Sequence, residues 1–360
     1  GIALMERKQL VIVTPFSHPS ACGIWKRAFN DIEGVDTSKN TITFYSSNIE
    51  KGTGQKLSSK GSFGSVALRR FKVWFSLGGS SMFFFFWDEL KKDKPSLIHT
   101  HGYRHPHSLQ TLLFAKVNKI PVIITPHAPF KKDSRRPFYL KLIDFLYDLF
   151  IGWWELRLYN KVILTTKWEK KYLKRLGVKE EKFEYVPNAI NGEYLEDSLD
   201  EILEVRTNQR LAFYMGRLDP VKRVEWVVYA AKKLNDYFFT IHGPLSGYSD
   251  VHAESANLHI KKEKYTTEDF IEQARKHLVY IMPSIRESFG MTMLEAMSQG
   301  CIVLTTKTSG ALEIIKDGVN GIFFEDEKDL VDKLQEIIQN KYEVTSIQRN
   351  AYRTAHEYRL

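Results

Sequence analysis

The sequence predicts an α/β protein with two doubly wound, Rossmann-like domains. Short β-rich runs alternate with helical patterns along the chain, as in parallel sheets whose strands are joined by helices. A length of 360 residues is enough for two domains of ordinary size. Residues 279–310 contain a strand, a polar turn, a helical pattern and a second strand in succession. This is the βαβ unit from which doubly wound sheets are built.

The composition is typical of a folded globular protein, with 43% hydrophobic and 26% charged residues. Two cysteines, Cys22 and Cys301, lack C-x-x-C spacing and indicate a reducing compartment. No signal-peptide pattern is visible, because the early apolar run from Leu10 to Phe16 is short and β-like. We therefore expect a cytoplasmic protein, either free or peripheral on the inner face of the cell membrane.

The net charge of +9 belongs to the first half of the chain. Residues 1–187 hold 31 Lys and Arg against 16 Asp and Glu, a balance of +15, while residues 188–360 hold 21 against 27, a balance of −6. This asymmetry favours an anionic membrane surface or a phosphate-bearing acceptor as a partner of the first half. Nucleic acid is not expected, because no helix-turn-helix, zinc-finger or RNP-like pattern accompanies the charge.

The first half opens with an all-apolar run, Gln9–Thr14, which predicts a buried parallel strand. A polar turn with Gly23 and a helical pattern follow, and Thr41–Tyr45 is predicted to be the second strand. The stretch from Lys51 to Ser65 is rich in Gly, Ser and Lys but lacks the third glycine of G-x-G-x-x-G. It is predicted to be a flexible loop.

Two aromatic segments leave alternatives open. Met82 to Trp87 is far too short to span a bilayer, which needs about 20 residues. The run Phe83–Phe86 within it is either an interfacial segment or a helix buried against the sheet. A basic turn at 131–136 precedes a long aromatic pattern. Basic and aromatic residues together predict a peripheral membrane contact, and the alternative is a long helix packed on the sheet.

Histidines follow two predicted strands, Ser96–His101 and Val122–Thr125. His127 lies just past the carboxyl end of the second strand, where functional residues of α/β sheets concentrate, so a functional role is favoured over a structural one. An earlier group has spacing that resembles a metal cluster, but no cysteine or nearby carboxylate completes it, so no metal is expected. That group consists of His99, His101, His105 and His107.

In the 279–310 unit, the turn lies at the carboxyl end of the first strand, where parallel sheets bind ligands. Glu287 precedes the helical pattern and Glu295 lies within it, so two carboxylates can bracket one ligand. Gly300 is placed to end the helix in a left-handed cap. The backbone N–H groups that open the helix would bind phosphate or carbohydrate oxygens, and they belong to Phe289, Gly290, Met291 and Thr292.

Glu287 and Glu295, set in PSxxESFGMTxLEAMxxG and followed by Gly310 and Glu313, resemble the E-x7-E motif of glycosyltransferase family 4. Members of that family are retaining enzymes of the GT-B fold, in which two Rossmann-like domains face each other across a cleft. Gly216, Arg217 and Lys222, after the predicted strand Arg210–Met215, resemble the family's G-R-x-x-x-x-K pattern.

The resemblance implies roles for these residues. Arg217 and Lys222 would hold the donor diphosphate, where fixed cations stabilise the departing charge. Glu295 would bind the ribose, Glu287 and the 289–292 backbone the donor sugar, and His127 the far side of that sugar. The implied catalytic set is His127, Glu287, Arg217 and Lys222, and the implied donor contacts include Gly216, Phe289, Gly290, Met291 and Thr292. Gly23 stands where the family usually has a Gly-Gly pair beside the donor phosphate.

The resemblance also implies the domain organisation. VPNAI resembles the family's hinge, which gives an acceptor-side domain at residues 6–189 and a nucleotide-sugar domain at 190–344. By the same analogy the tail, residues 345–360, packs back onto the first domain.

The implied activity is transfer of a sugar, with retention, from a UDP-, GDP- or ADP-linked donor to a glycan or lipid-linked glycan, without a metal or other cofactor. Two alternatives stay open. One is a nucleotide-sugar epimerase of the same fold, and the other is a non-catalytic, membrane-docking homologue.

Overall fold

The computed structural model describes residues 7–20, 22–79, 81–130, 136–204, 210–246 and 251–359. The described residues form two compact units, one ending at Val186 and the other beginning at Pro187. This division lies close to the boundary expected between residues 189 and 190. Most of the basic turn predicted at 131–136 falls outside the described residues.

The first unit contains an eight-stranded sheet and a separate two-stranded hairpin. Its strands are β1 (Lys8–Val13), β2 (Asn40–Ser47), β3 (Lys60–Phe63), β4 (Val66–Phe71), β5 (Val73–Leu77), β6 (Ser81–Phe84), β7 (Leu97–His101), β8 (Val122–Thr125), β9 (Lys161–Leu164) and β10 (Phe183–Tyr185). The large sheet has the order β10-β9-β8-β7-β1-β2-β4-β3, while β5 and β6 form the hairpin. Within the large sheet β3 runs antiparallel to β4, and the other pairings are parallel.

The helices of the first unit lie between these strands. They are α1 (Gly23–Asn30), α2 (Trp87–Asp93), α3 (Pro106–Val117), α4 (Phe138–Tyr147), a π-helical turn (Asp148–Gly152), α5 (Trp153–Leu158), α6 (Lys170–Arg175) and a 3₁₀ turn (Glu180–Lys182). Val11 and Val13 of β1, Ile98 of β7 and Ile124 of β8 are fully buried. Strands covered on both faces require such continuous apolar runs, which is why β1 was predictable from its sequence.

One expectation for the first unit was wrong, and one of the two alternatives for the phenylalanine run is excluded. The stretch 51–65 is not entirely loop, because Lys60–Phe63 pairs with β4. The run Phe83–Phe86 is not a helix: Phe83 and Phe84 end strand β6, and the side chains of the run alternate between two faces. Phe84 and Phe86 are each 2% exposed, whereas Phe85 is 69% exposed. The run thus supplies core residues on one face and exposed aromatic surface on the other.

The second unit contains a six-stranded parallel sheet. Its strands are β11 (Leu211–Met215), β12 (Phe238–His242), β13 (Leu258–Lys261), β14 (Val279–Met282), β15 (Ile302–Thr305) and β16 (Ile322–Phe323). Their order is β13-β12-β11-β14-β15-β16. The chain therefore proceeds to one side from β11 and to the other from β14, and ligands of such sheets bind at the carboxyl ends of these two strands.

The helices of the second unit cover this sheet. They are two 3₁₀ turns (Gly192–Leu195 and Pro220–Lys222), α7 (Leu199–Glu204), α8 (Glu225–Lys233), α9 (Thr267–Lys276), α10 (Met291–Ser298), α11 (Ser309–Ile314), α12 (Glu327–Ile338) and α13 (Val344–His356). Thr266 caps α9 through a reciprocal capping box with Asp269, a pattern of residue types that marks the start of a helix.

The packing of residues 345–360 back onto the first domain stays a prediction, and the structure shows how the described part of this tail packs within the second unit. Helix α13 belongs to the second unit and packs on α10. Its buried stripe includes Ile347, Ala351 and Ala355, and the Gln348 side-chain amide donates to the carbonyl of Gly300 at 3.1 Å. An amphipathic helix buries its apolar stripe on whatever neighbour it has, and here that neighbour is α10.

Across the described ranges, no helix combines the length and the apolar character needed to cross a bilayer.

Candidate functional site

The predicted βαβ unit is present as β14, a polar turn, α10 and β15. Gly290 precedes α10 with a φ of 89°, in the left-handed region that favours glycine. Gly300 follows α10 with a φ of 68°, as the sequence predicted for a helix end. The turn before α10 therefore lies at the carboxyl end of β14, beside the turn that follows β11.

An ion pair joins these two turns. Lys222 Nζ contacts Glu287 Oε1, although the residues are 65 positions apart in sequence. Their side chains are only 18% and 15% exposed, and Ser284 Oγ donates a 2.9 Å hydrogen bond to the same Glu287 oxygen. The structure thus brings two predicted site residues together in a sheltered, polar position.

Backbone contacts hold Lys222 in place. The Ile285 N–H donates to the carbonyl of Val221 at 2.8 Å, which ties the two turns together next to the ion pair. Asp219 Oδ1 accepts the Val221 N–H at 3.0 Å and caps the 3₁₀ turn that ends at Lys222. Arg223 has a φ of 49°, and its Nε donates to the carbonyl of Pro283 at 2.7 Å. Sequence reasoning missed Arg223, because nothing in its local pattern reveals this cross-chain contact.

Gly216 and Arg217 begin the turn after β11. The Gly216 N–H donates to the carbonyl of His242 at 3.1 Å. A Cβ on Gly243 would lie 1.7 Å from the carbonyl oxygen of Gly216, so the backbones after β11 and β12 approach too closely for any side chain there. The Arg217 side chain is 57% exposed and lies 3.6 Å from Asp219. It is therefore positioned beside Lys222 but remains accessible.

Gly310 fixes the other side of the site. Its N–H donates to the carbonyl of Glu287 at 3.0 Å, and an added Cβ would lie 2.5 Å from the carbonyl oxygen of Phe289. Glycine is required here because two backbone segments are in contact. The resemblance had placed Gly310 near the motif, and the packing gives the physical reason.

Helix α10 presents its N-terminus to this turn. Phe289 is buried, while Met291 and Thr292 are half-buried, and the Tyr280 hydroxyl donates to Thr292 Oγ1 at 2.9 Å. The N–H groups of residues 289–292 precede the first hydrogen bonds of the helix, in which Met293 and Leu294 donate to the Gly290 carbonyl, so they suit an anionic or hydroxyl ligand. Glu295 is half-buried within α10. Burial, and then the negative charge of Glu295, raises the pKa of Tyr265.

The first unit holds His127 in a strained turn after β8. His127 and Ala128 have φ values of 62° and 48°, unusual for residues with a side chain. The Ala128 N–H donates to Glu169 Oε2 at 2.7 Å. His127 Nε2 and His101 Nδ1 are 2.9 Å apart in a hydrogen bond. Sequence reasoning missed Glu169 and the role of His101 in orienting His127, because both depend on tertiary contacts.

Two further histidines of the first unit, His99 and His107, are buried. Burial lowers the pKa of His99 and of His107 to about 3, so both are neutral at physiological pH. The sequence suggested no nearby carboxylate, but Asp31 lies with His99 and His101, their candidate ligand atoms all within 4.8 Å of one another. Arg27 Nε is 2.6 Å from Asp31 Oδ1, so a cation already neutralises this carboxylate and opposes a metal ion.

Gly23 begins α1 and is exposed. A Cβ at this position would meet nothing within 4 Å. Packing within the described residues therefore imposes no requirement for glycine at position 23, in contrast to Gly216, Gly243 and Gly310.

Family models match both units. A model described as "Glycosyl transferases group 1" matches residues 196–354, and one described as "Glycosyltransferase Family 4" matches residues 58–194. The chain belongs to glycosyltransferase family 4.

This family 4 member resembles curated proteins over unequal lengths. A sucrose synthase of Melioribacter roseus is 34% identical over 76 residues, which are 21% of this chain and 10% of that protein. The chain thus spans only a small part of that relative. A UDP-Gal:alpha-D-GlcNAc-diphosphoundecaprenol alpha-1,3-galactosyltransferase of Escherichia coli is 22% identical over 252 residues, 66% of this chain and 64% of that protein.

The fold of this family 4 member matches a solved structure. The sucrose-phosphate synthase of Thermosynechococcus elongatus superimposes with a TM-score of 0.73 at 14% identity, covering 98% of this chain and 95% of that one. The fold is GT-B, so the predicted fold class is confirmed.

Proposed function

We propose that this family 4 member transfers a glycosyl group from a nucleoside-diphosphate sugar to an acceptor, with retention of configuration. The observation that carries the proposal is the Lys222–Glu287 pair, held at the carboxyl ends of β11 and β14 beside the N-terminus of α10. Strand order reverses between β11 and β14, and doubly wound sheets bind nucleotides at that point.

The diphosphate would bind to Arg217 and Lys222. Lys222 is paired with Glu287, so donor binding would supply a second anionic partner for the same ammonium. Arg217 is exposed next to it and would close on the diphosphate. Two fixed cations stabilise the negative charge that develops on a departing nucleoside diphosphate. We propose that these side chains perform that role without a metal ion.

The sugar and ribose would bind along the 287–295 segment. Glu287 accepts hydroxyl hydrogen bonds as a carboxylate, and the backbone N–H groups at 289–292 donate to sugar or phosphate oxygens. Glu295 would bind the ribose hydroxyls. His127 is proposed as the residue of the first domain that contacts the donor sugar, and Gly23 as the glycine that approaches the donor phosphate.

Retention is proposed from the family resemblance. No side chain is assigned as a nucleophile, and the leaving phosphate would accept the proton from the acceptor hydroxyl. The new glycosidic bond forms on the face from which the nucleoside diphosphate departs. Among donors, a UDP-linked sugar is proposed first, because the E. coli relative uses UDP-Gal.

A lipid-linked acceptor is proposed on the same ground. The E. coli relative acts on a sugar linked through diphosphate to undecaprenol. A protein with that acceptor would work at the inner face of the cell membrane, with its basic half near anionic lipid.

The test is a transfer assay. Purified protein is incubated with UDP-, GDP- or ADP-linked radiolabelled sugars and with membrane lipid extract, and label is counted in the organic phase. The proposal predicts label in lipid with one donor class, an α-linked product from an α-linked donor, and loss of label in the Lys222→Ala variant. Transfer with inverted configuration would contradict retention. Conversion of the donor to an isomer without transfer would instead favour an epimerase.

A further inference from the structure

A helical segment of the first unit exposes an unusual amount of apolar surface. It runs from Phe138 to Leu158 through α4, the π-helical turn and α5. No residue of α4 is buried, although Lys141 and Asp144 are its only charged residues. A soluble helix normally buries its apolar stripe, so this one is expected to be covered by something else. Its most exposed side chains are those of Phe138, Tyr139, Phe145, Leu149 and Phe150.

The β5–β6 hairpin adjoins this segment. An added Cβ on Gly78, in the hairpin turn, would lie 3.7 Å from the Leu140 side chain of α4. A cavity of about 60 Å³ between them is lined by residues of both elements, including Leu77 and Ile143. The hairpin carries two exposed aromatic residues, Trp74, which is 69% exposed, and Phe75, which is 58% exposed. We call the hairpin and residues 138–158 together the aromatic face.

The acidic groups of the aromatic face are already neutralised. Asp148 pairs with Arg104 at 2.5 Å, and Asp144 pairs with Arg136 at 2.9 Å. Glu155 is buried and accepts a 2.7 Å hydrogen bond from Tyr147. The carboxylates of the face therefore present little negative charge to a partner.

Exposed cations accompany the rings of the aromatic face. Lys72, which immediately precedes the hairpin, has its Nζ 4.9 Å from the centre of the Trp74 ring, and the Arg157 guanidinium lies 5.3 Å from that of Trp153. Lys141 is exposed on α4. Surfaces that bind the headgroup region of anionic bilayers combine tryptophan, tyrosine and phenylalanine with lysine and arginine. The aromatic face has this composition.

We propose that the aromatic face docks on an anionic lipid bilayer and inserts its rings at the level of the headgroups. The inference rests on the proposed function only for the purpose of docking, which would be to bring the candidate site to a lipid-linked acceptor. Docking itself needs neither donor nor acceptor. A second copy of the chain is a poorer occupant, because a symmetric dimer would bring Lys141 and Arg157 of both copies to one interface, where like charges repel.

The test measures binding to vesicles with the full chain and no donor. Wild-type protein is floated with phosphatidylcholine vesicles, with and without phosphatidylglycerol, at low salt and at 1 M salt. We expect binding to the anionic vesicles, and weaker binding at high salt, where the Debye length falls to about 3 Å. The Lys141→Glu/Arg157→Glu variant should partition at least about 25-fold less, since each lost cation weakens binding about fivefold.

A second variant tests insertion. Phe145→Ser/Phe150→Ser should reduce partitioning at least about tenfold, since each ring would otherwise be transferred from water. Phe238→Ser is the matched control, because Phe238 is an exposed phenylalanine of the second unit, and it should bind vesicles like wild type. Unchanged thermal unfolding of each variant shows that folding is intact.

Failure of wild-type protein to bind anionic vesicles at low salt would overturn the inference, as would wild-type binding by both double variants. Light scattering measures whether the wild-type protein is a dimer and the Phe145→Ser/Phe150→Ser variant a monomer. If both are true and the wild-type protein does not bind vesicles, the aromatic face would be assigned to self-association. Donor binding by calorimetry is measured on the same proteins. Normal donor binding with lost vesicle binding separates this inference from the proposed function.

Discussion

Gly310 stabilises the Glu287 turn through its backbone alone. Its N–H donates a hydrogen bond to the Glu287 carbonyl, and because glycine has no side chain there is room for the Phe289 carbonyl. We expect Gly310→Ala to lower the free energy of unfolding of the second unit by about 1–3 kcal/mol, the usual effect of overpacking. Urea unfolding followed by tryptophan fluorescence measures this change.

Gly23→Ala is the matched control for Gly310→Ala. An added Cβ at position 23 meets nothing within 4 Å, so the free energy of unfolding should change by less than about 0.5 kcal/mol. Equal destabilisation by the two substitutions would contradict the packing account of Gly310.

His101 is expected to position His127 rather than to contact a ligand. It is fully buried, and its Nδ1 lies 2.9 Å from His127 Nε2. We expect His101→Leu to reduce kcat of glycosyl transfer by between about two- and tenfold, the effect of one hydrogen bond, with little change in KM for the donor. Steady-state kinetics measures both constants. His259→Leu, at an exposed histidine, should leave both unchanged, and a rise in KM alone for His101→Leu would contradict the assignment.

At the scale of elements, two buried carboxylates make stability depend on pH. Burial raises the pKa of Glu155 and of Glu169 to about 7, from an ordinary value of 4.5. The folded state therefore binds these protons more tightly than the unfolded state, so the contribution of the two groups to the free energy of unfolding is fully present below pH 4.5 and is lost as pH rises through 7. The loss is on the order of 3 kcal/mol per group.

The prediction for Glu155 follows from the direction of this pH dependence. Glu155→Gln keeps the side-chain shape but cannot ionise, so its stability should fall less than that of wild type between pH 5 and about pH 8. Melting temperatures across that range measure the difference. Glu193→Gln, at an exposed glutamate, should follow the wild-type curve. Parallel curves for wild type and Glu155→Gln would show that Glu155 is not the titrating group.

Elements with a strong local signal were predictable, and elements defined by pairing were not. Strands β1, β8 and β14 contain the apolar runs Leu10–Val13, Val122–Ile124 and Val279–Met282, and the residue types of the α9 capping box are visible in the sequence. Phe83 and Phe84 lie in a strand because the segment pairs as a hairpin, and a short apolar run does not reveal its partner. The same limit applies to α13, because an apolar stripe does not reveal the surface that it covers.

At the scale of the whole molecule, the motifs of the second half predicted the family and its fold, both confirmed. They did not predict the contacts that assemble the candidate site. Lys222 and Glu287 were both predicted as site residues. Their two turns, about sixty residues apart, are joined by contacts that were not predicted. These are the hydrogen bonds made by Arg223 and by Ser284, and the backbone bond between Val221 and Ile285. Net charge also differs between the two halves of the chain. The aromatic face lies in the first half, which is the basic one.

The most direct test of donor binding at Lys222 is calorimetric titration of donor nucleotide sugars into wild-type protein and Lys222→Ala. We expect one class of UDP-, GDP- or ADP-linked sugar to bind wild type, and Lys222→Ala to raise its Kd by between about ten- and 150-fold, the effect of a hydrogen bond to a charged group. Lys328→Ala, at an exposed lysine of α12, should bind like wild type. Binding of no nucleotide sugar by wild type, or an unchanged Kd in Lys222→Ala, would contradict this expectation.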